Sequence, residues 1–322
     1  MTMNDALMTK RKDFLSILDF DAADLEHCLQ LAAQLKADRS LGRLAPTTET
    51  LSGRHLAMLF DKPSLRTRTT FEIAIRELGG HLVALQPDVA LGRREPVADV
   101  ARNLERWVDA VIIRTFSQRV LQEFAAAAPR LHVVNALTDT EHPCQAVADF
   151  LTLQEHIGPL RGRTIAYVGD GNNVATSLVH AAALLGVNVH VASPEAYRLP
   201  HAVVQQTVAV ARHGARLRLF TDASEAVAGA HAVYTDTWTS MGQEAEAELR
   251  RRAFEGFRVN DELMSLARPG ALFMHCLPAH RGEEVTAEVF ESDVSVVFDQ
   301  AENRLHGQKA LLLMLLAPGF SG

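Results

Sequence analysis

Apolar positions along this chain alternate between two spacings. Short apolar runs bounded by Gly, Pro or Asp read as buried strands, and stretches with apolar residues three and four apart read as helices. After Asp21, which reads as an N-cap, Leu25, Cys28, Leu29, Ala32 and Leu35 recur at helical spacing. The run HLAMLF (55–60), held between Gly53 and Asp61-Lys62-Pro63, predicts a strand, and 71–78 followed by Gly79-Gly80 predicts a helix with its C-cap. Further strands are expected at 81–85, 110–113 and 131–134, with helices over 96–108 and 118–127 between them and another starting at Gln145. The pattern then restarts. Strands are expected at 165–168, 187–192, 217–220, 232–235, 271–275 and 294–298, helical segments at 175–185, 203–212 and 223–227, and a last helix from about Asn303.

Strands separated by helices indicate βαβ units and parallel sheets. The expected class is α/β, with two doubly wound parallel-sheet lobes dividing near residue 150. The length of 322 residues suits two domains. The charge balance of 32 Lys+Arg against 39 Asp+Glu, formally −7, argues against the basic face of a nucleic-acid binder. It leaves room for a small anionic substrate held by local arginines. Three cysteines are too few for a disulfide framework and fit a reducing compartment. After Lys10-Arg11-Lys12 the apolar run 14–18 stops at Asp19 and Asp21, so no secretory segment is expected. The apolar stretch 310–317 is far short of the ~20 residues that a spanning helix needs. A cytoplasmic protein without membrane or nucleic-acid partners is the expectation.

Unusual residues collect at the carboxyl ends of the predicted strands. Lys62-Pro63-Ser64-Leu65-Arg66-Thr67-Arg68 lies between a strand and a helix, where free N–H groups, hydroxyls and a forked guanidinium can cradle a phosphate. A solvated basic turn is the alternative reading. Arg114 and Thr115 end the AVIIR strand, and Glu141-His142-Pro143-Cys144-Gln145 opens a helix. His142 and Gln145, three apart, can face one carbonyl ligand, although a His there also serves as a plain cap. Gly169-Asp170-Gly171-Asn172-Asn173 is a partial dinucleotide fingerprint: Val174 stands where a third glycine would be, and Ser193, not an acid, ends the next strand. Asp236 through Gly242 offers a carboxylate, a hydroxyl and a tight turn suited to an ammonium ligand, or equally an ordinary capped turn. His275-Cys276-Leu277-Pro278 with His280 invites a zinc reading but lacks the spaced pairs of a structural site. Arg304, placed at the start of the last helix, would oppose the helix dipole and so call for a bound anion.

The succession SLRTR, IIRT, HPCQ, DGNN, DTWTSMG, HCLP and AENR, spread over residues 50–315, resembles the ornithine carbamoyltransferases of the aspartate/ornithine carbamoyltransferase family. The resemblance implies an active site in the cleft between the lobes. It implies a carbamoyl-phosphate domain over 1–150, with the terminal helix (about 304–322) packing back on it, and an ornithine domain over 151–303. Ser64, Leu65, Arg66, Thr67, Arg114, His142, Gln145, Cys276, Leu277 and Arg304 would bind carbamoyl phosphate. Asn173, Asp236, Ser240 and Met241 would bind L-ornithine, and Cys276, Arg114 and His142 would be catalytic, with Cys276 beside Asp236 assisting amine deprotonation. Aspartate carbamoyltransferases share the phosphate and His-Pro motifs but not the Asp-x-x-x-Ser-Met-Gly loop. Two departures stand out: Leu65 replaces a customary Thr, and Ala90, upstream of Leu91-Gly92-Arg93, replaces a Gln.

The implied reaction is attack of the ornithine δ-amine on the carbamoyl carbon and loss of phosphate, giving L-citrulline on the route to arginine. No metal or organic cofactor is called for, because the leaving group is already activated. A homotrimer, or a multiple of trimers, is implied. Other acceptors (N-acylated ornithine, putrescine, lysine), a dinucleotide-dependent oxidoreductase and a non-catalytic amino-acid binder remain as alternatives.

Overall fold

A computed structural model describes residues 12–86, 94–240, 242 and 244–317. It divides into two compact units, Met1–Leu151 with Asn303–Gly322, and Thr152–Glu302.

In the first unit α1 (Ala22–Asp38) starts at Asp21, whose carboxylate accepts the Asp24 N–H while Asp24 accepts that of Asp21. There follow β1 (His55–Phe60), α2 (Leu65–Glu77), β2 (His81–Leu85), α3 (Val97–Leu104), β3 (Ala110–Arg114), α4 (Gln118–Ala127), β4 (His132–Leu137) and α5 (Pro143–Ile157). The strands form a parallel sheet in the order β2-β1-β3-β4. β3 is buried throughout, as a strand covered on both faces must be, which is why its sequence is an unbroken apolar run before Arg114. Its inward Val111 and Ile113 pack in one cluster with Leu121 and Phe124 of α4. The chain runs from β1 outward to β2 and then crosses back to β3, so the topological switch point falls between β1 and β3. Phe60 pairs with Arg114 there, setting the two carboxyl ends side by side.

The second unit contains β5 (Thr164–Val168), α6 (Asn173–Leu185), β6 (Asn188–Ala192), α7 (His201–Val210), β7 (Leu217–Phe220), α8 (Ala223–Val227), β8 (Ala232–Thr235), α9 (Ala247–Ala253), α10 (Asp261–Ser265), β9 (Leu272–His275) and α11 (Ala287–Phe290). Its parallel sheet has the order β7-β6-β5-β8-β9. The switch point lies between β5 and β8, where Val168 pairs with Thr235, and Thr235 in turn pairs with His275. Trp238, Phe254 and Phe273 anchor a core cluster in this unit. The last helix, α12 (Val297–Leu316), begins in this unit and ends in the first.

Three expectations change. The segment 294–298 is not a strand: Ser295 makes only an isolated bridge to Phe273, and α12 starts at Val297. A single backbone bracket, Phe273 N–H to Val294 O and Val296 N–H to Phe273 O, uses up the extended stretch before the helix begins. Arg304 therefore sits about two turns inside α12 and not at its start, so the dipole argument for an anion there does not apply. Helices α2 and α6 also begin earlier than the apolar periodicity indicates: α2 at Leu65, because the first turn and a half after Leu65 is polar, and α6 at Asn173, where the Asn172 side chain caps the Val174 and Ala175 N–H groups. Among the described residues no helix is long and apolar enough to cross a membrane. All three cysteines are free thiols.

Candidate active site

In the first unit the loop leaving β1 delivers Ser64 as the N-cap of α2, with no capping bond from its own side chain. Leu65, Arg66 and Thr67 form the first turn, where backbone N–H groups have no carbonyl partner within the helix. Leu65 is 77 % exposed, and its apolar side chain offers no hydroxyl in place of the customary Thr. Thr67 is buried, and its hydroxyl accepts from Arg304 at 2.6 Å. A second N–H of the same guanidinium donates to Gln145 Oε1, also at 2.6 Å. The Gln145 amide is oriented from its other side, since Nε2 donates to the wholly buried Asp149 at 2.8 Å. One turn of α5 thus fixes Gln145, and Gln145 with Thr67 fixes Arg304.

His142 lies just ahead of α5 and is buried. Its imidazole titrates well below the usual histidine range, first because burial disfavours the imidazolium and then because Arg304, Arg114 and Arg66 repel it. Arg114, at the end of β3, is itself only 6 % exposed. A neutral imidazole within the field of three guanidiniums is an electropositive pocket suited to a phosphate-sized anion. Cys144 is a different matter. Its buried thiol is pushed up to about 12 and donates to the Asn135 carbonyl, a structural role and not a nucleophile's.

In the second unit, the loops leaving β5, β8 and β9 meet. Asp236, 6 % exposed, accepts the Cys276 thiol on Oδ1 at 2.9 Å and the Asn172 amide on Oδ2 at 2.8 Å. Asn172 is also the N-cap of α6, accepting the Val174 and Ala175 N–H groups, so a single side chain ends a helix and aims a carboxylate. Asn173, expected as a ligand, is the first residue of α6, half-buried beside this cap. Ser240 is half-buried in the loop after Trp238. Met241, Ala90 and Leu91-Gly92-Arg93 lie outside the described residues. The loop is tied down by Arg250, buried, whose Nη1 donates both to Asp170 (2.8 Å) and to the Trp238 carbonyl (2.9 Å). Burial raises the Asp170 carboxyl, an effect that Arg250 opposes.

Cys276 follows β9, and its neighbours are held by His275 and Glu284, both fully buried. His275 Nδ1 accepts the Leu277 N–H at 2.8 Å, which assigns the ring proton to Nε2, 3.2 Å from Glu284 Oε1. Leu277 has a positive φ of 63°, a conformation that this bond supports. Asp236, His275 and Cys276 bring ligand atoms within 4.8 Å of one another, a possible metal constellation. Each of these atoms is engaged with another protein group: Cys276 with Asp236, Asp236 with Asn172, and His275 with Leu277 and Glu284.

The geometry also bears on the dinucleotide alternative. A Cβ on Gly171 would lie 2.4 Å from the Leu199 backbone nitrogen and 2.5 Å from the Arg198 carbonyl carbon. This glycine admits a neighbouring loop of its own chain, where a dinucleotide fold would admit a pyrophosphate. Asn172, Asp149, Glu284 and Arg250 are not marked as site residues by the sequence. Asn172 stands within a motif already singled out, whereas the other three carry no spacing signal.

Residues 12–155 match the carbamoyl-P binding domain of the aspartate/ornithine carbamoyltransferases, and residues 161–315 match their Asp/Orn binding domain. The ornithine carbamoyltransferase of Symbiobacterium thermophilum is 52 % identical over 310 residues, 96 % of this chain and 99 % of that protein. The structure of ornithine carbamoyltransferase from Pyrococcus furiosus superposes with a TM-score of 0.92 at 45 % identity, covering 98 % of this chain and all of the other. An anabolic ornithine carbamoyltransferase from Campylobacter jejuni superposes at 0.87 with 38 % identity, over 94 % of this chain and 98 % of that one. Both halves match, in order and nearly end to end, and the anion pocket and the Asp236–Cys276 pair sit at their two switch points. The chain belongs to the aspartate/ornithine carbamoyltransferase family.

Proposed function

We propose that this chain transfers the carbamoyl group of carbamoyl phosphate to the δ-amino group of L-ornithine, producing L-citrulline and phosphate for arginine synthesis. The choice of acceptor rests on Asp236: its carboxylate is buried, and its hydrogen-bond partners are a neutral thiol and a neutral amide. Such a carboxylate attracts an ammonium group and repels the side-chain carboxylate of aspartate.

The phosphate is held by the first-turn N–H groups of α2, Ser64, Arg66, Thr67 and Arg114. Arg304 and the neutral imidazole of His142 donate to the carbamoyl oxygen, beside Gln145. Ornithine is held by Asp236 with Asn173, Ser240 and Met241. The δ-ammonium, with a pKa of about 10.4 like that of lysine, must lose a proton before it can attack. The Cys276–Asp236 pair is the route for that proton. The neutral amine then adds to the carbamoyl carbon, forming a C–N bond and an oxyanion. Collapse breaks the C–O bond, and the second amine proton leaves with phosphate. Pre-oriented donors at the oxyanion are the largest expected source of rate.

The enzyme works in the cytoplasm as a homotrimer or a multiple of trimers. Three free thiols suit a reducing compartment, and exposed Leu44 and Trp107 offer apolar surface for association. Light scattering tests the assembly: a monomer overturns that part. The function is tested by ureido-product formation with L-ornithine, N-acetyl-ornithine, N-succinyl-ornithine, putrescine and L-aspartate side by side. Turnover confined to L-ornithine is expected. Preference for L-aspartate overturns the Asp236 reading, preference for putrescine or an acylated ornithine overturns the choice of free L-ornithine, and no turnover with any acceptor overturns the transfer reaction.

A further inference from the structure

The second unit carries a half-open cavity of about 310 Å³ lined by none of the site residues discussed above. Its walls are Val179 and Ala183 of α6, Val189 of β6, Val208 of α7, and Ala211 and Leu217. Val179, Ala183 and Val189 are buried, whereas Val208 is 63 % exposed, so an apolar chamber meets water beside α7. Val189 and Leu217 pair near the amino ends of β6 and β7. The Asp236–Cys276 pair lies beyond the carboxyl ends of the sheet, roughly 10 Å of strand away.

Polar groups in the lining are few. The Thr207 hydroxyl already donates to the Val203 carbonyl at 2.7 Å, which leaves Arg216 and Arg218 as the charged margin. The Arg218 guanidinium lies 5.1 Å from the centre of the Phe220 ring, which leaves Arg216 as the cation of this margin that is not set over a ring. From His201 to Thr221 the sequence holds no Asp or Glu but does hold Arg212, Arg216 and Arg218, in a chain whose formal charge is −7. Apolar walls exclude a zwitterionic amino acid, whose ammonium would be stripped of water without a partner. A basic margin selects an anion. The volume stands at the lower end of small-molecule sites, roughly 300–1,000 Å³.

We infer that this cavity is a second ligand site, for a small aliphatic carboxylate whose chain fills the chamber and whose carboxylate meets Arg216. This does not rest on the transfer reaction. The test is calorimetric titration of the intact protein with octanoate, 1-octanol and octylammonium. Octanoate should bind saturably and at least about tenfold more tightly than the other two. Ala183→Leu, which fills the chamber, should abolish octanoate binding, and Arg216→Gln should weaken it about tenfold, with carbamoyl transfer unchanged in both. Should Ala183→Leu fail to fold, Ala215→Leu at the half-exposed margin fills the same space. Three results would each overturn the inference: no saturable heat, octanoate binding indifferent to the chamber-filling variant, or octanol binding as tightly as octanoate.

Discussion

The guanidinium of Arg304 donates to the Thr67 hydroxyl at 2.6 Å, joining residues 237 positions apart in the chain. The same guanidinium reaches Gln145, so the end of the chain completes a pocket that begins at α2. Arg304 is 2 % exposed and has no access to water as a substitute partner.

Replacing Arg304 by Lys keeps the charge but loses the fork that serves both partners. We expect kcat/KM for carbamoyl phosphate to fall roughly 10- to 100-fold, as for loss of a charged hydrogen bond. The KM for ornithine should hold. Arg66→Ala should abolish transfer while leaving the melting temperature within a degree or two. Wild-type steady-state constants in Arg66→Ala would refute the phosphate cradle, and in Arg304→Lys they would refute the need for its forked guanidinium.

Cys276 donates its thiol proton to Asp236. In Cys276→Ser the hydroxyl is a far weaker acid, so kcat should drop by about 10²-fold, the lower range for positioned acid–base groups. Carbamoyl-phosphate affinity, measured by calorimetry, should change little. An unaltered kcat would remove the thiol from the mechanism.

Glu284 Oε1 faces His275 Nε2 and accepts the His280 N–H. Glu284→Gln retains an acceptor there, and we expect kcat within a few-fold of wild type. Glu284→Ala strands buried donors at about 1–3 kcal/mol each, and it frees the ring that holds Leu277. Its kcat should fall more than its melting temperature accounts for when assayed well below the transition. Equal kcat for the two variants would mean that the carboxylate does not position Cys276.

His142 gives a pH dependence of definite sign. Its folded pKa is depressed, so below about pH 6.5 the unfolded chain binds a proton that the folded chain refuses. Stability is therefore lost as pH falls through that value, at up to about 1.4 kcal/mol per pH unit until the folded pKa is reached. His231, lowered by burial and then by Arg268 and Arg163, acts in the same direction. Urea titrations between about pH 7.5 and 5.5 should show a shallower loss for His142→Gln than for wild type. Parallel slopes would contradict a buried neutral imidazole.

Much of this was open to sequence reading because it depends on local periodicity. HLAMLF between Gly53 and Asp61 had to be a covered strand, and the structure places it at 55–60. Ser64 to Thr67 and Asp236 stand out in the sequence because polar groups directly after an apolar strand fall at its carboxyl end in any parallel sheet. The segment 294–298 is not legible in the sequence for a complementary reason. Its apolar composition fits strand or helix alike, and one backbone bracket to Phe273 settled the matter.

By itself the sequence determined which segments alternate, where the strand mouths fall and which motifs stand at them, since these follow from side-chain spacing along one stretch of chain. Only tertiary structure decided that Asn172, and not a cation, grips Asp236, that Asp149 orients Gln145, and that Arg304 lies two turns inside its helix. These are partnerships between segments distant in sequence or one helical turn apart. A hydrogen bond acquires its partner from where the backbone carries it, and no residue names that partner alone.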